Sequence, residues 1–363
     1  MTDLDITKPA GRRLRNVMGR LDGARPRASR RDNVVMCLLS GWLLAGLTLD
    51  AWAHSNLTDL ETFFTPWHAV FYSGFTATAV WVVVMIVRNV RQGRSGVGVI
   101  PVGYGWTVVA LTVFGLSGIA DGVWHTLWGI ETTINILFSP SHLGLGASMV
   151  IIVTSPVRAM WSDPELPAAP SFRQFWPAAL STGMAVAQVL LFLGYGDAMK
   201  YRAEWIVEGF SGSQQAASML AARLIITNLV LLAPILFLAR HWRLPFWTVT
   251  AVWLPAIALA AAETEARNPG TLLTFVAAGL LADLLVRWLR PGADRPGRYW
   301  LFGASAAFVT WALYIAVASM TAGRTPSVIE MWTGAPIVAG LLGWLLAALM
   351  LPGRHEAEVR LDT

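Results

Sequence analysis

Two stretches of this chain carry the same acid and imidazole groups in the same order. The first, LDAWAHSNLTDLETFFTPWHAVFYSGF, holds Asp50, His54, Glu61, Pro66 and His68. The second, ADGVWHTLWGIETTINILFSPSHLGLGAS, holds Asp121, His125, Glu131, Pro140 and His142. Each reads Asp-x3-His, then a Glu, then Thr or Ser, Pro, any residue and His, and the copies are offset by 71 to 74 residues. Self-similarity at that period is the mark of a duplicated structural unit, here about one helical hairpin long.

The spacing favours metal ligation. Residues i and i+4 stand one turn apart on one helix face, so Asp50 with His54, and Asp121 with His125, can grip one ion. Pro66 and Pro140 suit the first turn of the next helix, which puts His68 and His142 in that turn, pointing back at the preceding helix end. Each hairpin thus offers one carboxylate and two imidazoles. That set leaves open positions on iron, and three ligands also suit zinc or copper with a vacant position. Glu61 and Glu131, in the connecting loops, are candidates for a general base, a bridge between two ions, or a group that orients a histidine. A structural hydrogen-bond network between the hairpins and a proton relay without metal are the competing uses of the same residues.

The elements that must position these groups are membrane helices. Of 363 residues 55% are hydrophobic and only 13% charged, and the mean hydropathy is +0.54. Apolar runs of spanning length recur along the whole chain, and the 18 Trp residues suit aromatic belts at both interfaces. Ten spans are predicted, near 34–54, 66–88, 103–126, 139–161, 175–195, 216–239, 245–263, 271–289, 299–319 and 333–351. The fold class is therefore all-α, a polytopic transmembrane bundle with a tandem duplicated hairpin in its first half. It divides into a basic segment 1–33, a metal-binding four-helix unit 34–161, a six-helix unit 175–351 and a tail 352–363. An even span count puts both termini on one side. Apart from Lys200, Arg202, Arg223, Arg267 and Arg324, every one of the 27 Lys and Arg residues falls on that side, which marks it as cytoplasmic. Both copies of the motif then lie at one depth, facing the extracytoplasmic side of a plasma or inner membrane.

The net charge of +5 and pI near 9.8 reflect these topogenic loops and not a nucleic-acid surface. The single cysteine, Cys37, lies within the first span and excludes an internal disulfide, an iron–sulfur cluster and a CxxC metal motif. HExxH is absent, which argues against a zincin-type protease.

The Asp-x3-His run, followed about a dozen residues later by His, resembles the metal-binding run of the C-subunit of copper membrane monooxygenases, the particulate methane and ammonia enzymes. The likeness covers about twenty residues per copy. It implies Asp50, His54 and His68 as one ligand set and Asp121, His125 and His142 as another, and it brings copper forward as the metal. The duplication, the proline before the final His and the ten spans depart from that subunit, and the likeness covers no more of the chain.

The second half carries fewer signals. Glu263, Glu265 and Arg267 sit at one helix end, where they either line the mouth of the same site or form structural ion pairs, the second being the favoured expectation. Asp283 is expected to pair with Arg287 at i+4. Residues 197–215 read as an amphipathic segment, either a lid or a connecting loop. The expected function is a metal-dependent membrane enzyme with one or two copper, iron or zinc ions. The likeness to the copper monooxygenase subunit puts oxidation ahead of hydrolysis, on a lipid-soluble or small substrate. The rival is a metal transporter or a metal-delivery or assembly protein. The expected partners are the lipid bilayer and further membrane subunits or a second copy of the chain, with no nucleic acid.

Overall fold

A computed structural model describes residues 25–57, 65–129 and 137–351. Glu61, Glu131, most of the basic segment 1–33 and the tail 352–363 lie outside the described residues. Those described are all-α, with short 3-10 turns and no strand. The helices are α1 (Arg30–Asn56), α2 (Pro66–Arg91), α3 (Gly105–Trp128), α4 (Pro140–Val153), α5 (Ser155–Trp161), α6 (Phe172–Phe192), α7 (Ala203–Gly209), α8 (Gln214–His241), α9 (Thr248–Glu263), α10 (Pro269–Leu289), α11 (Pro296–Ala322) and α12 (Ile329–Met350). Several begin where the sequence supplies a capping hydroxyl. Thr65 and Ser139 cap α2 and α4 with Pro at the first position, Ser171 forms a capping box with Gln174 on α6, and Ser213 caps α8.

Eight of these helices are long and apolar enough to cross a membrane: α1, α2, α3, α6, α8, α10, α11 and α12. Over the expected span at 139–161 lies a helix pair, α4 and α5, bent by 41°. Pro156 causes the bend, because it brings no N–H to the carbonyl of Ile152. The Ser155 hydroxyl takes that carbonyl at 2.6 Å, and Arg158 takes the carbonyl of Ile151 at 2.7 Å. The element at 245–263 is the apolar helix α9, with only 16 residues.

The chain divides into two compact units, one of Met1–Leu47 with Leu60–Glu165, the other of Thr48–Asp59 with Leu166–Thr363. In the first, α1 and α2 cross with their backbones in contact. A Cβ at Gly46 would stand 2.6 Å from the Cα of Phe71, and one at Gly74 would stand 2.7 Å from the Cα of Leu43, so neither position admits a side chain. Phe75 of α2 stacks on Phe114 of α3 with ring centroids 4.1 Å apart. At the end of this unit remote from the duplicated motif, buried Asp32 receives Arg88 at 2.7 Å, and Tyr104 donates to Asn33 at 2.9 Å. Arg158 fills its N–H groups with the carbonyls of Gly103 and Ile151 and the hydroxyls of Thr154, Thr107 and Ser155.

In the second unit the buried aromatic donors are satisfied within the helix stack. Trp311 donates to Asn228, Trp253 to Leu231 O, Tyr299 to Leu236 O and Tyr314 to Ala198 O. Glu263 pairs with Lys200 at 2.8 Å, and Glu265 pairs with Arg267, the structural roles expected of them. Asp283 departs from expectation. Its carboxylate accepts from the backbone N–H of Val249 and Thr250 and from the Thr250 hydroxyl, at 2.7 to 3.0 Å. It therefore caps α9 from a neighbouring helix. The demand is local, because α9 starts at Trp247 (φ 78°), which offers no capping side chain.

Candidate metal centre

The second copy of the motif is built at the junction of α3 and α4. Asp121 and His125, one turn apart, point inward, and their side chains are only 2% and 3% exposed. Helix α3 stops at Gly129, whose φ of 81° suits glycine alone. That turn places the Gly129 carbonyl 3.3 Å from Nδ1 of His125. A neutral imidazole donating there keeps its lone pair on Nε2, which lies 3.5 Å from Oδ2 of Asp121. In that tautomer two lone-pair atoms face each other in a buried place, and either a proton or a metal ion between them supplies the positive charge the pair needs.

Helix α4 brings the third group. Ser139 caps the helix, Pro140 opens it, and His142 occupies the next turn position with its backbone N–H donated to the Ser139 hydroxyl at 3.2 Å. Nδ1 of His142 lies 3.2 Å from Oδ1 of Asp121 and 2.7 Å from the Ser139 hydroxyl. The His125 and His142 rings meet edge to face, centroids 5.8 Å apart at 76°. Ser141 donates to Oδ1 of Asp121 at 2.9 Å and lies 3.0 Å from the Ser139 oxygen. The carboxylate is thus held in place by a hydroxyl while both imidazoles face it.

One ligand atom each from Asp121, His125 and His142 lies within 4.8 Å of the others, and the same is true of Asp50, His54 and His68. A tetrahedral ion held at about 2.0–2.2 Å by nitrogen and oxygen needs ligand separations of roughly 3–4 Å. Donor atoms up to 4.8 Å apart need only a small inward shift of the side chains to reach that range, so both groups could hold a metal ion. The first copy repeats the local structure: Thr65 caps α2, Pro66 opens it, and the His68 N–H bonds Thr65 Oγ1 at 3.1 Å. It differs in enclosure. The side chains of Asp50 and His54 are 14% and 21% exposed, and their closest atoms are 3.9 Å apart. Trp67 stands where the second copy has Ser141.

The six residues picked out by spacing thus fall in two groups that could hold a metal ion. Glu61 and Glu131 are not among the described residues. Sequence reasoning passed over two contributors. Ser141 sits at the unspecified position between Pro140 and His142. Gly129 carried a readable signal, a glycine just past the last helical residue.

No protein-family model, curated protein or solved structure matches this chain, so the reading rests on the site's own geometry.

Proposed function

We propose that this protein is a multi-pass membrane metalloenzyme in which each Asp–His–His triad, Asp121 with His125 and His142 and Asp50 with His54 and His68, holds one transition-metal ion. The observation that carries the proposal is the buried opposition of His125 Nε2 and Asp121 Oδ2, with the other imidazole nitrogen committed to the Gly129 carbonyl. A histidine ligand whose second nitrogen donates to a backbone carbonyl is the usual arrangement at metal sites. Three protein ligands leave open coordination positions, where a bound ion supplies Lewis acidity or redox chemistry. The chain's own residues fix the tautomer of His125, orient the carboxylate through Ser141 and keep bulk water from the second triad.

Within this reading the chain makes ten crossings, with α4–α5 and α9 as the fourth and seventh. Both termini are cytoplasmic, and the triads face the extracytoplasmic side of the cell membrane. The arginine distribution supports that orientation. Oxidation of a lipid-soluble or small substrate leads, and copper with it, by the likeness to the copper monooxygenase C-subunit. Iron fits the donor set equally, and zinc would favour hydrolysis. Glu61 and Glu131, next to the ligands in sequence, are the candidate general bases. Further membrane subunits or a second copy of the chain are the proposed partners beside the bilayer.

The same residues would serve a metal transporter or delivery protein. A through-path needs ionisable groups along its length. The buried charges Asp32 and Asp283 and the half-buried Arg158 are instead engaged in structural bonds, which favours the enzyme. Dialysis of the purified protein, combined with metal uptake into sealed vesicles, separates the two. An enzyme retains its ions and shows no flux. Uptake abolished by His54→Ala or His125→Ala would establish transport instead.

A further inference from the structure

In the second unit, the segment between α6 and α8 encloses a pocket of about 390 Å3 lined by Tyr201, Trp205, Ser213, Met219, Leu220 and Arg223, among others. Its wall is fixed. On α7, Ile206 and Val207 are buried, as is Phe210 just after it. Thr271 donates to the Tyr201 carbonyl at 2.7 Å, the Ser327 N–H to the Ser211 hydroxyl at 2.9 Å, and Arg324 to Glu208 at 2.6 Å. The segment expected as a lid or a connecting loop is thus a braced strut with a cavity beneath it.

The pocket has two chemical ends. Trp205 and Met219 are more than half and about half exposed and present apolar surface. Arg223 is half-buried, with its guanidinium carbon 4.8 Å above the Tyr201 ring. Among the described residues no hydrogen bond or ion pair runs from that guanidinium to a protein acceptor; it lines the pocket beside the Tyr201 ring, with the Asp197 carboxyl within electrostatic reach. Glu208, which also lines the pocket, has its charge answered by Arg324. Ser213, the N-cap of the 28-residue helix α8, adds the positive end of a helix dipole. A planar cation beside an aromatic face suits a phosphate, and the apolar wall suits the chain attached to it.

We infer that this pocket binds the phosphodiester of an anionic membrane phospholipid, with Arg223 on the phosphate and the acyl region along Trp205 and Met219. The test uses the intact protein, stripped of lipid in detergent, with phosphatidylglycerol added back and counted by native mass spectrometry. Arg223→Gln should weaken retention about tenfold, the scale of one lost charge-assisted contact. Ala216→Trp should abolish retention by filling the pocket, and Arg267→Gln, a surface cation elsewhere, should leave it unchanged. Millimolar inorganic phosphate should not displace the lipid. Retention unchanged in both pocket variants would overturn the assignment, and displacement by phosphate would give the pocket to a free anion. The outcome is independent of whether the triads hold metal, which is measured on the same samples.

Discussion

Nδ1 of His125 lies 3.3 Å from the carbonyl oxygen of Gly129, and that contact decides which imidazole nitrogen faces Asp121. The glycine is needed because the turn demands a positive φ. The histidine is oriented by the same turn that ends its helix. A backbone feature four residues downstream therefore sets the chemistry of the side chain. Gly129→Ala should strain the turn and release the ring. The expected result is a metal affinity at the second triad reduced about 10–100-fold, the usual cost of losing a group that orients a ligand, as measured by competition with a chelator of known affinity.

The two triads should not be equal. The second is more enclosed and has Ser141 on its carboxylate, where the first has Trp67. A titration of metal-free protein is expected to show two steps, with the second triad filling first. Ser141→Ala should narrow the gap by lowering the tighter step, while Trp67→Ala leaves that step unmoved. A single step in the parent would show that Ser141 and burial do not matter.

Asp197, in the loop between α6 and α7, is buried, and burial pushes its carboxyl up to about 6 despite Lys200 and Arg223 nearby and the bond from Met199 N–H. Glu263 adds to the upward push, and Tyr314 bonds the adjacent carbonyl. A carboxyl whose folded-state pKa is raised binds its proton more tightly when folded. The stabilisation is complete below the ordinary carboxyl value of 3.8 and is lost as pH rises through about 6. The change is on the order of 3 kcal/mol. Melting midpoints should therefore fall between about pH 4 and about pH 6 and level off above it, and Asp197→Asn should flatten the profile. A parent profile already flat across that interval would contradict the assignment.

Asp283 caps α9 with three accepted bonds. Asp283→Ala leaves two backbone N–H groups without acceptors and should cost about 2–4 kcal/mol in a melting or denaturant assay. Asp283→Asn keeps one oxygen and should cost less. Equal losses for the two would mean that the second oxygen and its charge, not the shape of the group, carry the cap.

The sequence made the duplicated motif legible because the chemistry is local. Asp-x3-His is one helical turn, and Thr/Ser-Pro-x-His is a capped first turn with histidine in it. Both features are set by neighbours in the chain. The apolar runs likewise mark the long helices to within a few residues at most ends. What escaped was set by distant or backbone partners. The bend after Val153 depends on Ser155 and Arg158 taking the carbonyls that Pro156 and the break set free. Asp283 looked like an i+4 partner for Arg287, but a helix start more than thirty residues upstream claims it. Spacing within one helix cannot reveal a partner on another.

The central claim is that both triads hold metal, and it is tested most directly by elemental analysis of the purified protein beside the His68→Ala, His142→Ala double variant. The expected result is about two transition-metal ions per chain in the parent, one per triad, falling at least about tenfold in the double variant while its melting midpoint stays close to the parent's. A parent without a transition metal after reconstitution, or a folded double variant that keeps its full complement, would contradict the account.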